Sequence, residues 1–111
     1  MYVSITGLKP KGILGFFKFW TLAIPSFQQA QTAKGNLSSS VKRIKGYQCT
    51  VTSWESRERM LDFMRSGVHL KAMKAFHSIA TGRTYGYETD SVPTWDEAFS
   101  ILMSKGKNYL V

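Results

Sequence analysis

The chain predicts an α+β fold in the order strand, helix, strand, strand, helix, strand, with one helix appended. Three observations carry that order. Polar and apolar residues alternate with a period of two in four separate segments, and apolar residues recur at helical spacing between them. A two-residue punctuation, Lys45-Gly46, separates two of the alternating segments and leaves room only for an antiparallel hairpin.

Taken in order, Tyr2 to Leu8 is the first strand, with Val3, Ile5 and Gly7 on one side and Tyr2, Ser4, Thr6 and Leu8 on the other. Lys9-Pro10-Lys11-Gly12 is expected to end it. A helix follows around Ile13 to Ala23, where Phe16, Phe17, Phe19, Trp20 and Leu22 cover most of the circumference. That is more apolar surface than one sheet face can hide. Pro25 suits the first turn of a new or kinked helix bearing Phe27, Ala30 and Ala33 and stopped at Gly35. Asn36 to Ile44 forms the second strand, and Tyr47, Cys49 and Val51 are the apolar side of the third, closed by Trp54. Thr52-x-x-Glu55 has the spacing of a capping box, with Ser53 and Ser56 as further cap candidates. The helix it would open carries Met60, Leu61, Phe63 and Met64, bends at Ser66, resumes with Val68, Ala72, Ala75, Phe76 and Ile79, and stops at Gly82. Arg83 to Asp90 makes the fourth strand. Thr94-x-x-Glu97 is a second capping-box pattern, and Trp95, Ala98, Phe99, Leu102 and Met103 form the inner face of the last helix.

This is the ferredoxin-like βαββαβ arrangement, a four-stranded antiparallel sheet with an extra C-terminal helix and both crossover helices on one face. The other face is then short of cover. Two copies packed sheet to sheet would close a barrel-like space between them, so a homodimer is expected.

Composition narrows the function classes. The formal charge of +8 is uneven, since seven bases and no acid precede Glu55, whereas eight bases face seven acids from Glu55 onward. Such asymmetry can serve nucleic acid or anionic lipid. The bases are scattered, with Lys42-Arg43-x-Lys45 the one tight group, so a solvated surface whose field favours anionic small molecules is preferred to nucleic acid. Cys49 is the only cysteine, which excludes an intrachain disulfide. The apolar run of residues 13–24 is shorter than the roughly 20 residues a membrane span needs, and Lys18 interrupts it. A cytoplasmic location is expected.

The runs Val51-Thr52-Ser53-Trp54-Glu55-Ser56, Met60-Leu61-x-Phe63 and Ser66-Gly67-Val68-His69-x-x-Ala72-Met73 resemble the core of the dimeric α/β-barrel proteins that include antibiotic-biosynthesis monooxygenases. Gly35-Asn36-Leu37-Ser38 and Pro93-Thr94-Trp95-Asp96-Glu97-Ala98 are similar to members near the spheroidene monooxygenases. The resemblance implies a dimeric α/β barrel and an oxidoreductase, a monooxygenase of an apolar or aromatic substrate. It also leaves haem open as a cofactor. His69 falls on the family's recurring histidine, while Met73 stands where the haem-degrading branch carries its axial histidine, so haem degradation is not what this chain suggests.

His69, Met73 and His77 follow one another at i, i+4 and i+8. The two histidine backbones then lie about 12 Å apart, too far for one metal ion. His69 is the candidate acid, base or ligand, and Trp54, Phe63, Met73, Tyr87 and His77 are candidates for the pocket wall. Trp20 and Tyr85 could join Trp54, Phe63 and Tyr87 in an aromatic pocket, but core packing or a dimer interface is the preferred account of these aromatic residues. Cys49, mid-strand and without a base in sight, reads as a small hydrophobe. The rival function is a non-catalytic binding module whose basic first half meets an anionic partner.

Overall fold

The structure, a computed structural model, describes residues 1–65 and 80–108. β1 (Tyr2–Pro10) leads into α1 (Gly12–Thr32), β2 (Asn36–Ile44) and β3 (Tyr47–Trp54) form a hairpin, and α2 (Arg57–Met64) follows. β4 (Ala80–Glu88), α3 (Trp95–Lys105) and the two-residue β5 (Lys107–Asn108) complete the described chain. The strands join in one antiparallel sheet of order β2-β3-β1-β4-β5. The α+β, ferredoxin-like arrangement is therefore present, with β5 a short addition at one edge.

The period of two sorts every strand residue onto one of two faces. Val3, Ile5 and Gly7 pair with Ser53, Val51 and Cys49 on β3 and with Tyr87, Tyr85 and Arg83 on β4. Against that face lies α3, whose Ala98 and Leu102 are fully buried among Val3, Ile5, Cys49 and Val51. Removing each such aliphatic side chain from water stabilises the fold by about 1.5–3 kcal/mol. Arg83 ties the end of α3 down, with Nη2 donating to the carbonyls of Met103 and Gly106 at 3.0 Å each. Thus the face that was expected to need a twin is covered by the chain's own last helix.

On the opposite face Tyr2, Ser4, Thr6 and Leu8 look toward α1 and α2. Leu8 packs on Phe19 and Ala80 at one end, and Tyr2 joins Ala30, Trp54, Met60 and Phe63 at the other.

Several local expectations meet their physical limits here. β1 runs through Pro10, which pairs in register with Ala80; a proline at the strand end costs the ladder one donor and no more. α1 is one helix through Pro25. The missing N–H leaves the carbonyl of Thr21 without its helical donor, and Thr21 is exposed, so water can serve it. The cap of α2 is Ser56, which accepts from the Arg59 amide at 3.3 Å. Thr52 belongs to β3 instead, because its hydroxyl is taken by the carbonyl of Ser4 and by Trp54 Nε1. Gly82 is no helix stop: it lies inside β4, where a Cβ would run into the Leu8 side chain. The Thr94–Glu97 capping box is formed in both directions, at 3.0 and 3.2 Å. Lys45 and Gly46 both take positive φ, 50° and 84°, as the tight turn of a twisted hairpin requires. The second half of the expected long helix lies outside the described residues.

Candidate functional site

Between α1, α2 and the sheet the chain encloses a cavity of about 610 Å³. Its floor is the second face of the sheet, and the residues there are polar for a reason of register. Ser4, Thr6, Gln48, Thr50, Thr52 and Thr84 all fall on one side of the pleat, with Thr6 directly between Thr50 and Thr84 on the neighbouring strands. The roof and walls are mostly apolar, with Phe19, Trp20, Ala23, Phe27 and Ala30 from α1 and Met60, Phe63 and Met64 from α2, while Ser26, Gln28 and Gln31 add polar groups from α1. Trp54 stacks on Phe63 with ring centres 5.2 Å apart and closes one end. Phe19 and Trp20 meet edge to face at 5.4 Å toward the other.

Some floor hydroxyls are already engaged. Thr84 Oγ1 donates to the carbonyl of Ile5 at 3.2 Å, so the 3.4 Å contact with Thr6 has Thr6 as its donor. Thr52 donates to the carbonyl of Ser4 at 3.5 Å and accepts from Trp54 Nε1 at 2.9 Å, which locks the indole in place. Among the described residues, the side chains of Ser4, Gln48 and Thr50 have no such partner. They are free to bind the polar edge of a ligand whose body lies against the aromatic roof.

Lys42 and Arg43 both border the cavity, and no carboxylate does so among the described residues. Arg43 stands opposite Gln48 on the cavity side of the sheet, whereas Lys42 stands opposite Cys49 on the far side. The field of Arg43 therefore favours an anionic or deprotonated ligand. Cys49 also borders the cavity from the far side of the sheet, but burial pushes its thiol up, so it stays protonated and unreactive. No cluster of His, Cys, Asp or Glu suited to a metal ion occurs among the described residues. A haem iron would likewise find neither imidazole nor thiolate in the described lining, only the thioethers of Met60 and Met64.

Of the sequence candidates, Trp54 and Phe63 come together in this wall. Tyr87 does not: it sits on the other face of the sheet, beside Tyr85 and against the α3 core. Burial first, then the charge of Glu97 and the proximity of Tyr85, raise its phenol above the ordinary value, so it is a poor proton donor. His69, Met73 and His77 lie outside the described residues. Trp20 apart, the residues that sequence reasoning missed are the floor and the α1 roof. Their signal was the run of polar residues at every second position of β1 and β3, which a buried face of an ordinary core would not carry.

No protein-family profile and no curated protein matches the chain. Solved structures do match in fold. Rv0793 from Mycobacterium tuberculosis superposes with a TM-score of 0.72 at 10% identity, over 85% of this chain and 100% of its own. An antibiotic biosynthesis monooxygenase gives 0.69 at 11% identity, over 84% and 100%. SnoaB from Streptomyces nogalater, a cofactor-independent oxygenase, gives 0.67 at 8% identity, over 82% and 94%. The structural neighbours are thus antibiotic-biosynthesis-monooxygenase-type proteins, and at these identities the likeness is one of fold.

Proposed function

We propose that the chain binds a flat apolar or aromatic molecule between α1, α2 and the sheet and oxygenates it with dioxygen. The observation that carries this is the cavity's division into a largely aromatic roof and a polar, partly unsatisfied floor beside the Arg43 cation. A phenolic substrate would lay its rings under Phe19, Trp20 and Phe63 and set its oxygen on Gln48 or Thr50. The positive charge of Arg43 favours the phenolate, the form that gives electrons to oxygen most readily. Converting a phenol to a quinone with one O2 places one oxygen atom in the product and the other in water. The substrate supplies all four electrons, so neither a metal nor a reductant is needed. SnoaB, an oxygenase that works without a cofactor, supports this chemistry by likeness of fold.

His69 is proposed as the proton acceptor, with Met73 and His77 in its vicinity, on the family resemblance alone. A kinship with spheroidene monooxygenases, haem as a ligand and a homodimer rest on the same resemblance. A cytoplasmic setting fits the single free thiol.

Trp20 and Trp54 both line the cavity, so 1-naphthol should quench the protein's tryptophan fluorescence, and air-saturated solutions should lose dissolved oxygen as it is consumed. Ala23→Trp, which fills the roof, should weaken that binding at least tenfold. Naphthol that neither quenches nor is consumed would sink the reading. Quenching without oxygen uptake would leave a binding protein and remove the oxygenase. His69→Ala should keep the quenching and abolish the uptake; if uptake survives, His69 is not the proton acceptor.

A further inference from the structure

The first helix carries a second apolar stripe that, Trp20 apart, the core does not use. Its buried side is set by Phe19, Ser26 and Ala30. At 100° per residue, Ile13, Phe17, Trp20 and Ile24 lie within a band about 100–160° away from that side. Ile13 is 77% exposed, Phe17 64% and Ile24 52%, with Leu14 beside them at 86%. Isolated exposed apolar residues mean little, but a contiguous stripe about 16 Å long on one helix is a surface built for contact. Beyond Leu14, about 100° round the helix from Phe17, stands Lys18, with Lys11 just before the helix, and no acid occurs in the first 54 residues.

Three occupants could cover it. No helix among the described residues is long and apolar enough to cross a membrane, so α1 does not span one. A symmetric pair of copies built on this stripe would bring together two basic first halves that hold no acid in their first 54 residues, which opposes the contact. Exposed phenyl and branched aliphatic groups flanked by lysines match instead a surface with an oily interior and negative headgroups. We propose that the stripe Ile13–Phe17–Trp20–Ile24 docks the protein on an anionic lipid bilayer, with the axis of α1 along the surface. The docking stands independently of the oxygenase reading. Trp20 and Ile24 also line the cavity, so the docked face and the cavity wall are continuous. If the oxygenase reading holds as well, the substrate is a lipophile that reaches the cavity from the bilayer.

Flotation with vesicles tests this. Protein should float with vesicles of phosphatidylcholine and phosphatidylglycerol and remain behind with phosphatidylcholine alone. The double substitution Ile13→Ser, Phe17→Ser removes exposed side chains only, so thermal stability should hold while partitioning falls about tenfold or more. Lys18→Glu should weaken partitioning by a similar factor, and the loss should shrink as salt rises. Failure to float with either vesicle overturns the proposal. So does flotation that the double substitution leaves unchanged, since attraction would then be electrostatic without insertion. A solution mass of two chains that drops to one on the same double substitution would assign the stripe to self-association instead.

Discussion

The two faces of one sheet have been put to different uses. On the α3 side Val3, Ile5, Cys49, Val51, Ala98 and Leu102 are almost completely excluded from water, and the polar intruders are satisfied: buried Ser53 shares a hydrogen bond with the Ser38 hydroxyl, and two carbonyls receive Arg83 at the rim. On the α1 side the same strands present hydroxyl and amide groups to a cavity. The first face holds the fold together and the second stays open because it is not packed shut. A ligand site in so small a chain is affordable only if the stabilising contacts are concentrated elsewhere, and α3 concentrates them.

If that division is real, substitutions of similar size should differ sharply by face. The largest effect belongs to Leu102→Ala, which deletes a fully buried side chain from the dry face and should cost about 2–5 kcal/mol by urea unfolding. A value under about 1 kcal/mol would mean that α3 does not carry the fold. Next comes Gly7→Ala, because an added Cβ would stand 2.7 Å from Leu102 Cδ2; overpacking there should cost about 1–3 kcal/mol. Thr94→Ala removes the cap of α3 and should cost about 1 kcal/mol. Its partner Glu97 adds a pH signature. Hydrogen bonds from the Thr94 backbone and side chain hold the Glu97 carboxyl below its usual value of 4.5, so its contribution is present above that range and fades as pH falls through the lowered value. The Tm advantage over Glu97→Gln should accordingly be full near neutrality and vanish in strong acid. Smallest is Thr50→Val on the cavity floor, which exchanges an unpartnered hydroxyl for a methyl group. Stability should move by no more than about 0.5 kcal/mol, while naphthol quenching weakens. A large loss of stability there would place Thr50 in the structural half of the molecule.

Much of the fold was legible because its signals are local. The alternation in Tyr47–Val51, the Lys45-Gly46 turn and the Thr94–Glu97 box need no distant partner to be read. What escaped depends on contacts between segments. Thr52 has the spacing of a cap, yet Ser4 and Trp54 claim its hydroxyl within the sheet. Pro25 looks like a helix start, yet α1 passes through it because Phe19, Ser26 and Ala30 on either side are held in one buried line. The order of elements also cannot say on which face an appended helix will lie, and so the dry face was assigned to a second copy. For the site, Trp54 and Phe63 were visible as aromatics flanking a helix start. Tyr87 was grouped with them by type, though register with Val3 sends it to the opposite face.

The hairpin turn has a further consequence for charge. Because two residues with positive φ join β2 to β3, Arg43 faces Gln48 and its guanidinium shares a side of the sheet with the cavity, while Lys42 lies opposite Cys49. One residue added to that turn would shift the pairing by a step and exchange the two, so this two-residue connection acts as the gauge that decides which cation a bound anion would meet.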